Sequence, residues 1–128
     1  MRIFTILGLF LCLLLVNCGG SDPLEDQLKA WREADLNPTA FENVPPSGVG
    51  AVSCFAGKVS GVHVTLCDYP DEDAATKAAE TGRQSIGSAT GLALARKVVL
   101  MIAADKDNVD PTGKTLNKLS KVFWGDGD

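Results

Sequence analysis

The sequence predicts an α+β fold: a four-stranded antiparallel sheet made of two hairpins, with helices packed on one face, in the order α-ββ-α-ββ-α. Three observations carry this expectation. Residues 54–67 alternate around a central Ser60-Gly61 turn signal, residues 92–104 hold two apolar runs parted by Ala95-Arg96-Lys97, and Asp-Pro pairs at 22–23 and 110–111 open helical patterns near both ends. A length of 128 residues fits one domain at most.

The first eighteen residues differ in composition from the rest. Arg2 supplies a positive start, and in residues 3–16 only Thr5 and Gly8 fall outside the hydrophobic classes. A helix over that run spans about 21 Å, short of the roughly 30 Å hydrocarbon core of a bilayer, so it reads as the core of a signal peptide and not as a membrane anchor. The run ends in Leu15-Val16-Asn17-Cys18-Gly19-Gly20-Ser21, which resembles the lipobox of bacterial lipoproteins: a Leu three residues before a Cys, with Asn17 where Gly or Ala is usual. The resemblance implies a signal peptide over residues 1–17, cleavage before Cys18, a diacylglyceryl group on the Cys18 thiol and acylation of the new amino terminus. The alternative is an ordinary secretory signal that leaves Cys18 a plain thiol. Gly19 occupies the position where Asp favours inner-membrane retention, so the resemblance implies a place in the cell envelope at the outer membrane. Several acyl chains, at about 0.8 kcal/mol per buried methylene, anchor a protein durably, whereas one chain alone is marginal. As a whole, the mature chain resembles small bacterial envelope lipoproteins, a likeness that brings no activity with it.

Loss of Cys12 with the signal and lipidation of Cys18 leave Cys54 and Cys67 in an oxidising compartment, the number that one disulfide needs. If the hairpin turns on Ser60 and Gly61, paired positions sum to 121, and 54 and 67 satisfy this. Counting outward from the turn places the two cysteines at a non-hydrogen-bonded pair, where Cα atoms stand about 4.5 Å apart, at the short edge of what a disulfide accepts. The same register puts Phe55, Val59, Val62, Val64 and Leu66 on one face with Gly57. Lys58, His63, Thr65 and Ala56 fall on the other face with the cysteines. The sequence therefore predicts a Cys54–Cys67 cross-strand disulfide. With no C-x-x-C spacing, its expected role is structural and not redox.

Around this hairpin the remaining elements follow. Asp22 caps a first helix with Pro23 at its first position and Glu25 completing a capping box; Leu24, Leu28 and Trp31 form its apolar stripe, and Asn37-Pro38 ends it. Residues 18–22 are then a short tether. Residues 37–50, with Pro38, Pro45, Pro46, Gly48 and Gly50, read as an extended connection. After Tyr69-Pro70, a second helix carries Asp71, Glu72 and Asp73 in its first turn, where the helix dipole favours acids, and Ala74, Ala75, Ala78 and Ala79 form a slim face; Gly82 weakens its far end. Residues 87–91 read as a loop. Residues 92–104 read as two strands turning at 95–97, with a single helix as the alternative, because Ala and Leu are good helix formers. Asp110-Pro111 starts a last helix with Leu116, Leu119 and Phe123 on one stripe and Lys114, Lys118 and Lys121 on another. The domain thus runs over 23–124, and residues 125–128 form a polar tail.

Composition bounds the function. With 12 basic against 16 acidic side chains the net charge is -4, and losing Arg2 with the signal leaves 11 against 16. A polyanion is bound chiefly by clustered Lys and Arg, so nucleic acid is not an expected partner. One histidine and scattered cysteines give no zinc spacing. Gly113-Lys114-Thr115 has the end of a phosphate-binding loop, but Asn108 stands where its first glycine belongs. Asp105, Asp107, Asn108 and Asp110 are rich in oxygen, yet Val109, Asp110 and Leu116 occupy positions where a calcium loop needs a ligand, a glycine and a bidentate Glu. His63 has neither a nucleophile nor an orienting acid in its own segment. The lysine stripe reads as a solvated face, with contact to anionic headgroups or an acidic partner as the alternative, and Trp31 and Trp124 as core or domain-edge residues, with an anchor at the membrane interface as the alternative for Trp124. No catalytic, cofactor-binding or metal-ligating residues are therefore expected. The leading expectation is a lipid-anchored, non-catalytic envelope protein that binds an envelope protein partner or a small ligand near the membrane. The alternatives are a periplasmic enzyme or enzyme inhibitor, and a structural surface-coat lipoprotein.

Overall fold

The computed structural model describes residues 23–46, 50–87 and 89–125. The expected signal peptide, Cys18 with its tether, the Asp22 cap and residues 126–128 of the tail lie outside them. Three helices, α1 (Pro23–Glu33), α2 (Glu72–Ile86) and α3 (Lys114–Trp124), accompany five strands. These are β1 (Glu42–Val44), β2 (Ser53–Val59), β3 (Val62–Asp68), β4 (Thr90–Arg96) and β5 (Val99–Asp105), wholly antiparallel in the order β1-β2-β3-β5-β4.

The β2–β3 hairpin adopts the expected register, with all seven pairs from Val59↔Val62 out to Ser53↔Asp68. Ser60 and Gly61 both take positive φ, 51° and 89°, the primed turn whose twist matches that of the flanking strands. Cys54 and Cys67 face each other and are joined by a disulfide, their Cα atoms 4.1 Å apart.

The second hairpin is strand–turn–strand, so the helical alternative for 92–104 is overturned. Its turn lies at Lys97-Val98, one residue beyond the expected position, and Lys97 takes the positive φ of 55°. The expected loop over 87–91 is shorter, since pairing begins at Thr90 opposite Asp105. Helix propensity loses here because β5 is inserted between β3 and β4, where Leu100, Met101, Ala103 and Ala104 are all buried whichever face they point to.

Two features of the expected sheet are corrected. It has five strands, because part of the connection over 37–50 pairs along the outer edge of β2 as β1, with Asn43 opposite Phe55 and Val44 opposite Cys54. The helices also cover both faces and not one. Val59, Val62, Val64, Leu66, Met101 and Ala103 form a core with Leu28 and Trp31 of α1 and Leu116, Leu119 and Phe123 of α3. On the other face, Cys54, Cys67, Tyr69 and Leu100 pack with Ala75 and Ala79 of α2. The central strands are apolar on both sides, so a single helical layer would leave one apolar face in water. Trp31 is fully buried, and its Nε1 donates to the Leu119 carbonyl at 3.4 Å, which joins α1 to α3.

Helix ends also shift. α1 stops at Glu33, before Asn37-Pro38. Asp35 takes a positive φ of 66°, the Leu36 N–H donates back to the Trp31 carbonyl at 2.9 Å, and Leu36 turns into the core. Asp71 is the N-cap of α2 and not part of its first turn, accepting from the Ala74 N–H at 2.8 Å. α3 begins at Lys114, later than Asp110-Pro111 suggests. Asp110 still caps it from a distance: its two carboxylate oxygens accept from the Thr115 and Leu116 N–H groups at 3.0 and 2.9 Å.

A cleft between helix α2 and the disulfide face

The register of the four long strands sorts the disulfide face into three rows. Cys54, Cys67, Leu100 and Ala95 form one, Ala56, Thr65, Ile102 and Ala93 the next, and Lys58, His63, Ala104 and Gly91 the last. α2 does not lie centrally over these rows. Its buried stripe is Ala75, Ala79 and Gly82, residues small enough for close approach, and it rests on β4 and β5. A methyl added at Gly82 would stand 3.0 Å from Ile102 Cδ1 and 3.3 Å from Ala93 Cβ. This glycine, expected to weaken the helix, also packs directly against the sheet, and the helix continues to Ile86.

Because α2 sits over β4 and β5, the flank of the helix and the floor over β3 enclose a cleft of about 860 Å³. That volume lies within the range of roughly 300–1,000 Å³ usual for ligand sites. Its floor is Cys67, Thr65, His63, Leu100, Ile102 and Ala104. Its helical wall is Ala74, Ala78, Thr81 and Ser85, spaced by four, three and four so that they share one face. The Thr81 and Ser85 hydroxyls donate back to the Lys77 and Gly82 carbonyls, at 3.5 and 2.7 Å, which leaves their oxygens as acceptors toward the cleft. Chain direction gives the cleft a polarity. Asp71 and Asp73, at the start of α2, and Tyr69 mark one end, while His63 and Lys106, beside the β2–β3 turn and the end of β5, mark the other. Burial pushes the Tyr69 phenol above its ordinary pKa, so it stays neutral.

The chain matches no known family model, no curated protein and no solved structure.

His63 does acquire an acid partner, but from another segment. Its Nε2 is 3.1 Å from Asp107 Oδ2, and Lys58 Nζ reaches the same oxygen at 3.6 Å. The hydrogen bond with His63 holds the Asp107 carboxyl below its usual range against the opposing effect of desolvation, helped by the nearby Lys58. The trio ties the first hairpin to the loop after β5.

The other residues singled out in the sequence are spent on the backbone. Asp105 accepts from the Val109 and Asp110 N–H groups at 2.9 and 2.8 Å, so this carboxylate holds its own loop together. The amides at the start of α3, which a phosphate would use, are taken by Asp110. Among the described residues, no group of three or more His, Cys, Asp or Glu side chains is placed to hold a metal ion, and no helix is long and apolar enough to cross a membrane. Sequence reasoning missed the cleft residues Lys77, Thr81, Ser85 and Lys106. The one available signal was the stripe Ala74, Ala78, Thr81, Ser85 running beside the alanine stripe of the same helix. The expected slim face of four alanines divides in two, with Ala75 and Ala79 buried on the sheet and Ala74 and Ala78 beside the cleft.

Proposed function

We propose that this is a lipid-anchored, non-catalytic protein of the bacterial cell envelope, placed at the outer membrane, that binds a short extended peptide segment in the cleft between α2 and β3. The observation that carries this reading is the layout of the cleft: Asp71 and Asp73 at one end, with Lys77 on the helical wall one turn from Asp73, Lys106 and His63 at the other end, and a largely apolar floor between in which Thr65 is the polar residue. The floor from Cys67 to His63 is five residues of strand, four steps or about 14 Å, which accommodates an extended stretch of about four residues. A peptide amino terminus suits the Asp71 and Asp73 end, a carboxylate suits Lys106, and small apolar side chains suit Leu100, Ile102 and Ala78. The lipobox resemblance at Cys18 supplies the anchor. The sharing of Asp107 between His63 and Lys58 supports a structural role for that pair in place of general-base work.

The test is an NMR titration of the folded domain with the uncapped tetrapeptide Val-Ala-Val-Ala and with its N-acetylated, C-amidated counterpart. Shifts centred on Thr65, Ala78 and Ile102 are expected, stronger for the uncapped peptide and weakened by Lys106→Glu. Shifts spread evenly over the surface, or none with either peptide, would overturn the reading.

A further inference from the structure

We infer that the end of the domain where α1 begins, β4 turns into β5 and α3 finishes is a membrane-contacting surface, with Trp124 at the level of the lipid headgroups and Arg96 and Lys97 against lipid phosphates. The inference rests on the lipid-anchored reading of Cys18 and adds the face that meets the bilayer. Cys18 and Pro23 are five residues apart. Even fully extended, that tether spans about 18 Å, so the first residue of α1 stays close to the membrane surface. Seven-residue strands are about 23 Å long, and therefore one end of the domain is held near the lipid while the other projects away.

The near end follows from the topology. α1 begins beside the β4–β5 turn: Leu24 lines an apolar cavity of about 510 Å³ together with Arg96, Lys97, Val98, Phe123 and Gly125. Arg96 reaches the end of α3, where a methyl added at Gly125 would stand 3.7 Å from Arg96 Nη2. Next to Gly125 stands Trp124, 47% exposed although tryptophan is the largest side-chain type. Val52, 65% exposed, belongs to the same end, since its N–H donates to the Asp68 carbonyl where β3 finishes. Two of the three large exposed hydrophobics among the described residues thus flank the tethered end. An indole prefers the boundary between hydrocarbon and water, and Arg and Lys are drawn to an anionic surface. Glu25, Asp26 and Asp68 also lie at this end and offset the cationic attraction of Arg96 and Lys97, so the contact depends on the tether and on the apolar side chains and not on net charge.

The test uses the full-length protein purified from membranes and reconstituted into phosphatidylcholine–phosphatidylglycerol vesicles with brominated acyl chains, which quench nearby indoles. The chain has two tryptophans, and Trp31 is fully buried in the core, so the difference between the wild type and Trp124→Phe isolates Trp124. Loss of most of the Trp124 emission is expected, with Trp31 emission unchanged and with weaker quenching in Arg96→Glu/Lys97→Glu. Intact mass of the same sample separates the two readings. A lipidated protein whose Trp124 emission ignores the bromines overturns the surface and leaves the anchor standing, whereas an unlipidated mature mass overturns both.

Discussion

Breaking the Cys54–Cys67 bond tests the energetics of the first hairpin most directly. The bond closes a loop of fourteen residues, since its cysteines are thirteen apart in sequence. On the chain-entropy account, that constraint removes about 3 kcal/mol of freedom from the unfolded chain. For a domain of this size the corresponding loss is roughly 12–24 °C in Tm, or about 2–3 M in the urea midpoint. Reduction and Cys54→Ala/Cys67→Ala are not equivalent. Both sulfurs are buried, at residue exposures of 1% and 5%. Truncating them should therefore cost about 1 kcal/mol each in lost packing beyond the loop term, whereas reduction removes only the constraint. The assay is urea unfolding followed by far-ultraviolet circular dichroism on oxidised, reduced and double-alanine protein, with thiols counted by mass spectrometry. Midpoints should fall in that order. A reduced protein with the midpoint of the oxidised one would refute the loop-closure reasoning, and two free thiols in the untreated mature protein would remove its premise.

Two further sites give different expectations for the same change, glycine to alanine. At Gly82 the new methyl meets Ile102 Cδ1 at 3.0 Å, the end of a side chain that borders the cleft, and Ala93 Cβ at 3.3 Å, which moves only with its strand, so the gain of about 1 kcal/mol in helix propensity is offset and stability should change little. At Gly91 the methyl runs into the Ala103 carbonyl oxygen and lies 3.0 Å from Ala104 Cα, backbone that cannot move aside, and a loss of at least about 2 kcal/mol is expected in urea unfolding. Equal costs at the two sites would contradict this. Asp110→Asn should cost about 1–2 kcal/mol near neutral pH by weakening the cap on α3. Burial alone would raise the Asp110 carboxyl, but the backbone hydrogen bonds from Thr115, Leu116 and Lys114 outweigh it and hold the pKa low. The folded chain thus binds this proton less readily than the unfolded one. The contribution is complete above the unfolded carboxyl value of about 3.9 and is lost as pH falls through the lower folded value. Urea midpoints of wild type and Asp110→Asn should accordingly converge in strong acid, and a constant gap from pH 7 down would refute the assignment.

The first hairpin was legible in the sequence because three independent constraints coincide there: turn chemistry at Ser60-Gly61, strict alternation, and two cysteines at mirrored positions. The second hairpin was legible as strands, but its turn slipped by one residue because Lys97 carries no glycine to mark the left-handed position. β1 left almost no trace. Glu42 and Asn43 are exposed and do not alternate with apolar residues, and the segment is a strand only because β2 offers an open edge. The two-sided helical cover was foreshadowed by the unbroken apolar run over 98–104, since a strand apolar on both faces needs a layer on each. The cleft was not legible. It depends on where α2 settles across the sheet, and that is fixed by contacts between Gly82, Ala93 and Ile102, which are far apart in the chain.

The sheet also meets its neighbours in a particular way. Along the outer side of β2, residues from Pro38 to Val44 occupy the backbone: Pro38 bridges Val59, the Thr39 N–H donates to the Lys58 carbonyl at 2.8 Å, and β1 pairs as far as Cys54. The resulting margin is three residues long and is followed by Pro45-Pro46, which cannot extend a ladder. The opposite margin, β4, is seven residues long, but it lies under α2 on one face and ends in the charged pair Arg96-Lys97. A protein confined to a membrane plane collides with copies of itself far more often than one diffusing freely. On the proposed lipid anchoring, margins this short, or this guarded, would let neighbouring copies crowd together without zipping sheet to sheet.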